Sequence, residues 1–189
     1  MARTNLAAWI ESALSGVIAY ILALVPTMTA AGFGANLAII PVFIVSYRRG
    51  WKFGILAGFL NGILQVVLGR AVLLSFWQVL IEYFLAFAIA GVAGFFAKNV
   101  KEAFEGKKEL WPTIGIVGVS TFIGTLAEYF IHFLAGYFFW ASFTPEGLNP
   151  WFYTFVVNSI TALITWVVAW VVIWLILWTN NNVIDVKKQ

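Results

Sequence analysis

The sequence contains no cysteine and very little charge. Its 189 residues include one histidine, and only 10% of them are charged, whereas a soluble domain usually carries about 25% charged residues. The absence of cysteine excludes disulfides, thiolate nucleophiles and cysteine-based metal sites, and it leaves the redox compartment undetermined. The few ionisable side chains therefore stand out as candidates for function.

Apolar residues are in excess. They make up 62% of the chain, against roughly 45–50% in soluble domains. A domain of ~150 residues buries only about 70% of the surface that its unfolded chain exposes, so this chain cannot hide all its apolar surface from water. The excess must face lipid. This excludes a soluble enzyme, a nucleic-acid-binding domain and a disordered tail, although the net charge is +3, and it predicts an integral membrane protein.

Six apolar runs are candidates for membrane-spanning helices, each of which needs about 20 mainly apolar residues. The runs cover residues 9–25, 36–47, 52–69, 76–97, 111–139 and 151–178. The second run is short and the fifth is long, so we expect tilt or extension past the bilayer there. The sequence predicts an all-α membrane protein with one transmembrane domain of six helices over residues 1–189.

The basic residues predict the orientation. Of the eleven lysines and arginines, all but Arg70 fall at the two termini and in the second and fourth loops. In a six-span protein these segments share one side of the membrane, and segments rich in lysine and arginine remain cytoplasmic. Both termini are therefore predicted to be cytoplasmic. Residues 1–31 also resemble a signal peptide, but Glu11 favours an uncleaved first span.

Several polar side chains within the spans lie at one depth. Ionisable groups inside spans are costly and are functional candidates by default; here they are Glu82, Glu128 and His132. At ~1.5 Å per residue, Glu82, His132, Asn158 and Asn61 each lie about 10 Å below the outer surface. A shared depth on four helices predicts a pocket that opens outward.

Aromatic residues crowd the same layer around Glu82. They include Tyr83, Trp140 and Tyr153. An interfacial belt explains most of the ten tryptophans, but it does not explain a carboxylate among the rings. A flat organic cation would suit this setting, because each ring adds roughly 0.5–2 kcal/mol of cation–π attraction. Arg70 is the competing internal partner for the Glu82 carboxylate.

Glu128 and His132 share one helix face because they are four residues apart. Two ligands without a third make a poor metal site, so no metal is expected. A glutamate that holds one histidine nitrogen and fixes the tautomer is the favoured interpretation. A histidine that is simply part of the core, and a small intramembrane enzyme that uses the pair for acid–base chemistry, stay as alternatives.

Small residues line the first span at four-residue steps. Ser12 and Gly16 form one row, and Ser15, Ala19 and Ala23 form another. Such rows let helices approach closely. They predict either internal packing or docking onto another membrane subunit.

Four stretches of the sequence carry a resemblance to a known family. They are Ile40-Pro41 through Gly50, Ile81-Glu82-Tyr83, Tyr129-Phe130-x-His132-Phe133-x-Ala135-Gly136 followed by Trp140, and Tyr153-x4-Asn158. Their order and spacing resemble those of the ThiT (YuaJ) family. These are the thiamine-specific substrate-binding subunits, or S-components, of energy-coupling factor transporters. The similarity extends from about residue 13 to 175.

The resemblance implies a six-helix S-component without enzymatic activity or cofactor, in the cell membrane of a prokaryote, with an outward-facing thiamine pocket. It implies partners as well: a transmembrane coupling subunit, contacted through Ser15, Ala19 and Ala23, and two ATPases that power uptake. The ligand-binding residues that it implies are Glu82 for the cation, Tyr83 and Trp140 for ring stacking, His132, Tyr153 and Asn158 for polar contacts, and Gly136 for close backbone approach. An S-component for another vitamin stays as an alternative, although a neutral or anionic vitamin would leave Glu82 unexplained.

Two positions depart from the family pattern. The first outer loop of the family resembles a lid with a tryptophan, but residues 27–50 contain none, and Gly32-Phe33 stand at the matching place. The loop before the fourth span often offers a tyrosine where this chain has Val72. Both changes would thin the aromatic cage, so we expect lower affinity or a different lid closure. Neither change removes the charged centre.

Overall fold

Six helices make up the structure, a computed structural model that describes residues 2–27, 33–106 and 108–186, with side chains from residue 6 onward. The helices are α1 Ala2–Ala23, α2 Ile39–Arg49, α3 Trp51–Val67, α4 Phe76–Phe104, α5 Leu110–Phe139 and α6 Pro150–Thr179. Short 3-10 turns follow at Ala141–Phe143 and Asn181–Val183. No strand occurs in the described ranges, so the prediction of an all-α six-helix architecture is confirmed.

Four of the helices are long and apolar enough to cross a membrane, namely α1 and α4 to α6. Helix α3 is shorter, and α2 has only 11 residues. Helix α2 lies inside the bundle, where Phe43 and Tyr47 are completely buried. The Tyr47 hydroxyl forms a 2.7 Å hydrogen bond with Ser120 of α5. Gly50 separates α2 from α3 with a φ of +93°, a conformation that favours glycine.

Helix α4 changes its winding along its length. It begins as an α-helix, turns into a π-helix over Leu80–Leu85, and includes a 3-10 segment over Ala90–Phe96. Single π-helical turns are frequent at functional sites, because the extra residue changes the direction of the side chains around it. Glu82 and Tyr83 lie in this π turn.

Glycines on α3 bring its backbone against α4. Gly54, Gly58 and Gly62 recur every four residues and are buried. A Cβ atom on Gly58 would lie 2.0 Å from the carbonyl oxygen of Phe87, and one on Gly62 would lie 2.1 Å from that of Tyr83. No larger residue fits at these two positions without moving a helix. The row follows the small-xxx-small pattern of membrane helices. Its member Gly62 packs against the backbone of Tyr83 in the π turn.

Tryptophans on α6 pack this helix against α5. Trp166, Trp170 and Trp174 each donate their indole N–H to α5. The acceptors are the carbonyl oxygens of Gly118 at 3.0 Å and Ile114 at 2.9 Å, and the hydroxyl of Thr113 at 3.2 Å. These bonds give the indole N–H groups acceptors within the protein, which lipid tails could not provide.

Helix α1 packs its small residues inward. Gly16 and Ala19 are buried, and a Cβ atom on Gly16 would lie 2.9 Å from the Cβ of Leu60 on α3. The implied contact of Ala19 with another subunit is therefore wrong, because Ala19 is completely covered by this chain's own core. Ser15 and Ala23 are half-buried and remain accessible in part.

Charged residues gather at one end of the bundle. Glu11 accepts hydrogen bonds from Arg48 at 2.8 Å and from Arg49 at 2.7 Å. Arg48 also donates to the backbone carbonyls of Asn182 and Val183. These bonds tie α1, α2 and the segment after α6 together at the end that carries most of the basic residues.

We expect Gly58→Ala to lower the thermal unfolding temperature in detergent, because the new methyl group would lie 2.0 Å from the Phe87 carbonyl oxygen. Such overpacking typically costs about 1–3 kcal/mol. The matched control is Gly115→Ala on α5, where nothing lies within 4 Å of the added Cβ and where alanine favours the helix. Equal unfolding temperatures for the two variants would contradict the close approach of α3 and α4.

Candidate functional site

A cavity of about 410 Å³ lies between α4, α5 and α6. This volume falls in the range of small-molecule sites, about 300–1,000 Å³. All seven side chains or backbone positions that the resemblance implied line it: Glu82, Tyr83, His132, Gly136, Trp140, Tyr153 and Asn158. They come from three helices that are far apart in sequence. Their contact with a ligand stays a prediction.

The Glu82 carboxylate is held by two neutral donors. Its Oε2 atom accepts a 2.6 Å hydrogen bond from the amide of Gln78 and a 2.8 Å bond from the indole N–H of Trp140. Glu82 forms no ion pair within the described part of the chain, and the competing pair with Arg70 is absent from it. The negative charge is therefore oriented but not neutralised.

Gln78, which the sequence analysis missed, holds Glu82 from outside the cavity lining. It is completely buried, and its own amide oxygen accepts from the backbone N–H of Leu74 at 3.2 Å. Its backbone N–H donates a hydrogen bond to the hydroxyl of Ser75, the N-cap residue of α4. The signal was present in the spacing, because Gln78 lies four residues before Glu82 and so on the same helix face.

Aromatic rings form one wall of the cavity. The Phe87 ring meets the imidazole of His132 edge-on, with centroids 5.5 Å apart, and Tyr129 approaches the same imidazole at 5.6 Å. The hydroxyl of Tyr83 accepts a 2.9 Å hydrogen bond from the backbone N–H of Val72. Val72 therefore contributes no aromatic ring to the cavity. Its backbone N–H instead holds the ring of Tyr83 in place through this hydrogen bond.

Glu128 is buried beneath this wall, with only 1% of its surface exposed. Its Oε1 atom accepts a 2.7 Å hydrogen bond from the amide of Asn36 and lies 3.8 Å from Nε2 of His132. The expectation that Glu128 bonds the imidazole is wrong in this structure, because 3.8 Å exceeds hydrogen-bond range. Asn36 also bonds Thr165 of α6 through its backbone N–H, so the loop before α2 is anchored below the cavity.

Gly136 and Asn158 lie where α5 meets α6. A Cβ atom on Gly136 would lie 2.5 Å from the methyl group of Thr154 and 3.6 Å from the amide nitrogen of Asn158. That amide donates to the backbone carbonyl of Thr154 at 2.9 Å. The glycine keeps the space in front of Asn158 open.

Other polar and aromatic residues of the same layer do not reach the cavity. Asn61 is 1% exposed, and its Oδ1 atom has no hydrogen-bond partner in the described residues. Trp77 is 63% exposed and Trp151 is 49% exposed, as an interfacial belt requires. In the first outer loop Phe33 is half-buried, while Gly32 lies outside the described residues.

Among the described residues, no group of three or more histidine, cysteine, aspartate or glutamate side chains could hold a metal ion. Glu128 and His132 have no third ligand near them.

Comparison with known proteins places the chain in a family. Residues 9–185 match the family described as Thiamine transporter protein (Thia_YuaJ). The thiamine transporter ThiT of Lacticaseibacillus paracasei is 34% identical over 158 residues, which cover 82% of this chain and 78% of that protein. ThiT of Bacillus subtilis is 33% identical over 153 residues, 79% of each chain.

A solved structure of ThiT from Listeria monocytogenes has the same fold. Its TM-score is 0.90 at 29% identity, and the match covers 96% of this chain and 98% of that one. The resemblance seen in the sequence is confirmed, and the family is one of transport proteins, so the alternative of an enzyme that uses Glu128 and His132 is dropped. This multi-pass membrane protein is a member of the thiamine transporter (Thia_YuaJ) family.

Proposed function

We propose that this protein is the thiamine-binding S-component of an energy-coupling factor transporter and that it binds thiamine in the cavity between α4, α5 and α6. The observation that carries the proposal is the Glu82 carboxylate, which lines the cavity and has two neutral donors but no cationic partner among the described residues. The relatives named thiamine transporters support it further.

The chemistry of thiamine matches the groups around the cavity. Thiamine has a permanently charged thiazolium ring and a flat aminopyrimidine with donors and acceptors. Glu82 is the partner for the charge, and the rings of Tyr83 and Trp140 are partners for stacking, each worth roughly 0.5–2 kcal/mol. The remaining polar groups, which are available for the aminopyrimidine, belong to His132, Tyr153 and Asn158.

The two donors to Glu82 prepare the site for a cation. They fix the carboxylate before the ligand arrives, and they carry no charge that the ligand would have to displace. Charge attraction is also stronger in an apolar cavity than in water. A neutral or anionic vitamin would leave the carboxylate without a partner, which is why we favour thiamine over other vitamins.

The basic end of the bundle supports an outward-facing cavity. Arg48, Arg49 and Lys101 lie at the end where α2 and α4 finish, whereas Glu82 and Trp140 lie at the other end. Because basic ends remain in the cytoplasm, both termini are cytoplasmic in the proposed orientation. The cavity then opens to the outside of a prokaryotic plasma membrane.

Uptake against a gradient needs an energy source that this chain does not carry. Its sequence contains no glycine-rich phosphate-binding loop. In our proposal two ATPase subunits supply the energy through a transmembrane coupling subunit. Helix α1 is the contact surface, with Ser15 and Ala23 beside the apolar side chains of Leu14 and Ile18, which are 57% and 48% exposed.

Glu82→Gln should weaken thiamine binding at least ~30-fold, because loss of one half of a buried charge pair typically costs about 2–5 kcal/mol. Calorimetric titration of the purified protein in detergent measures the change. Glu146→Gln is the matched control, since it removes the same charge from an exposed loop and should leave the affinity unchanged. Unchanged affinity in Glu82→Gln would remove this residue from the site.

Thiamine should quench the intrinsic fluorescence, because Trp140 is the tryptophan that lines the cavity in the described chain. We expect Trp140→Phe to lose most of this quenching. Trp111→Phe, at the exposed opposite end of α5, should keep it. Full quenching in Trp140→Phe at saturating thiamine would argue against Trp140 as a stacking partner.

Ser15→Trp should reduce thiamine uptake by the reconstituted transporter about tenfold or more, because a large side chain would separate the two subunits at their contact. Thiamine affinity of the isolated protein should change by less than about twofold, since Ser15 lies far from the cavity. Val119→Trp, on the exposed face of α5, is the control. Full uptake with Ser15→Trp would place the coupling contact elsewhere.

A further inference from the structure

A second carboxylate lies behind the wall of the cavity, and the binding of thiamine proposed above does not use it. Glu128 is only 1% exposed and belongs to the membrane-spanning part of α5. It does not itself line the cavity, but its neighbours Tyr129 and His132 do. Ionisable groups inside spans are costly and are functional candidates by default.

The protein holds this carboxylate in one place. Its Oε1 atom accepts the 2.7 Å hydrogen bond from the side-chain amide of Asn36. Asn36 is fixed in turn, because its backbone N–H donates to the hydroxyl of Thr165 at 2.9 Å and its amide oxygen accepts from the backbone N–H of Ala38 at 3.1 Å. Since the amide oxygen is occupied, the amide nitrogen is turned toward Glu128.

This anchoring of Asn36 does not require a charge. A glutamine at position 128 would offer Asn36 an amide oxygen as acceptor. An ionised group costs far more to bury than an amide, and a buried charge is weak evidence for a role in stability. A purely structural role therefore leaves the charge of Glu128 unexplained.

Hydrogen bonds from basic residues do not neutralise this charge. Of the ion pairs in the described part of the chain, one involves Glu128, and its partner is His132. The 3.8 Å between Oε1 and Nε2 exceeds hydrogen-bond range. His132 is held between the rings of Phe87 and Tyr129 and lines the cavity. One imidazole thus lies between the carboxylate and the cavity.

A charge in this position acts on a ligand without touching it. Coulomb attraction falls only with the first power of distance, and it is screened much less at a buried site than in water. A cation that contacts His132 from the cavity is one side chain away from Glu128. A neutral molecule of the same shape gains nothing from this carboxylate.

We propose that Glu128 is a specificity-determining residue that makes the cavity prefer a cation over a neutral ligand of the same shape. It acts through its charge and not by contact, and Asn36 is the positioning residue that holds it. The proposal rests on the proposed function, because thiamine must occupy the cavity for the charge of Glu128 to attract it.

Glu128→Gln removes the charge and keeps an acceptor for Asn36. It should weaken thiamine binding about fivefold or more. The affinity for a neutral isostere of thiamine, with a thiophene in place of the thiazolium, should change by less than about twofold. Both ligands are titrated calorimetrically into the purified protein, and binding of the isostere shows that the variant is folded. Equal weakening of both ligands, or of neither, would overturn the proposal and leave Glu128 as an anchor for Asn36.

Two further variants separate charge from geometry through the ratio of the two affinities. Glu128→Asp keeps the charge but shortens the side chain, so it should keep the ratio of the unaltered protein even where both ligands bind more weakly. A ratio as low as that of Glu128→Gln would overturn the proposal, because geometry would then set the preference. Glu102→Gln makes the same substitution at an exposed position on α4 and should change neither affinity.

The same titrations distinguish this inference from the proposed function. Failure of thiamine to bind the unaltered protein would refute the proposed function. Glu82→Gln should lower the ratio more than Glu128→Gln, because Glu82 lines the cavity. A lowered ratio in Glu82→Gln together with an unchanged ratio in Glu128→Gln would refute only the role of Glu128.

Discussion

A carboxylate that is held but not neutralised is the feature on which the site depends. Glu82 lies in a membrane-spanning helix, where an ionised group is costly unless donors or a cation compensate it. The protein supplies two neutral donors from Gln78 and Trp140, and in the proposed function the ligand supplies the cation. One donor comes from the same helix and the other from beyond the end of α5. The position of the charge therefore depends on how α4 and α5 are packed.

Backbone contacts secure this packing. Gly58 and Gly62 bring α3 against the carbonyl groups of Phe87 and Tyr83, directly behind the π turn that carries Glu82. Gly136 lies between α5 and α6, where it faces the side chains of Thr154 and Asn158 and not a backbone. Contacts between backbones have little freedom to adjust, because no flexible side chain lies between them. The helices around the cavity are thus close together because glycines stand where larger side chains would separate them.

Hydropathy and residue depth predicted the six helices and the layer of the site, but they could not predict which way each helix faces. Asn61 shares the depth of Glu82 and yet lies outside the cavity, because depth does not fix the rotation of a helix about its axis. Ala19 shows the same limit, since it is completely buried although Ser15 and Ala23 of the same row are half-buried. Six of the seven lining positions already belonged to the layer that depth and aromatic content indicated, and only Gly136 came from the family motifs alone. Gln78 had only its four-residue spacing from Glu82 as a signal, and the π turn had none, because a change in helical winding depends on tertiary packing.

Helix α3 lies between the two surfaces that the proposed function requires. One of its faces contacts α1, where a Cβ on Gly16 would meet Leu60, and another contacts α4 behind Glu82 and Tyr83. Both contacts are made by small residues at van der Waals distance. A displacement of α4 when thiamine fills the cavity would therefore reach α1 through a single rigid helix, since packed helices slide or rotate as units and do not deform continuously. In the proposed function, α3 thus contacts the ligand-binding helix α4 on one face and the docking helix α1 on another. Substitutions on α3 should therefore disturb ligand binding and subunit docking together.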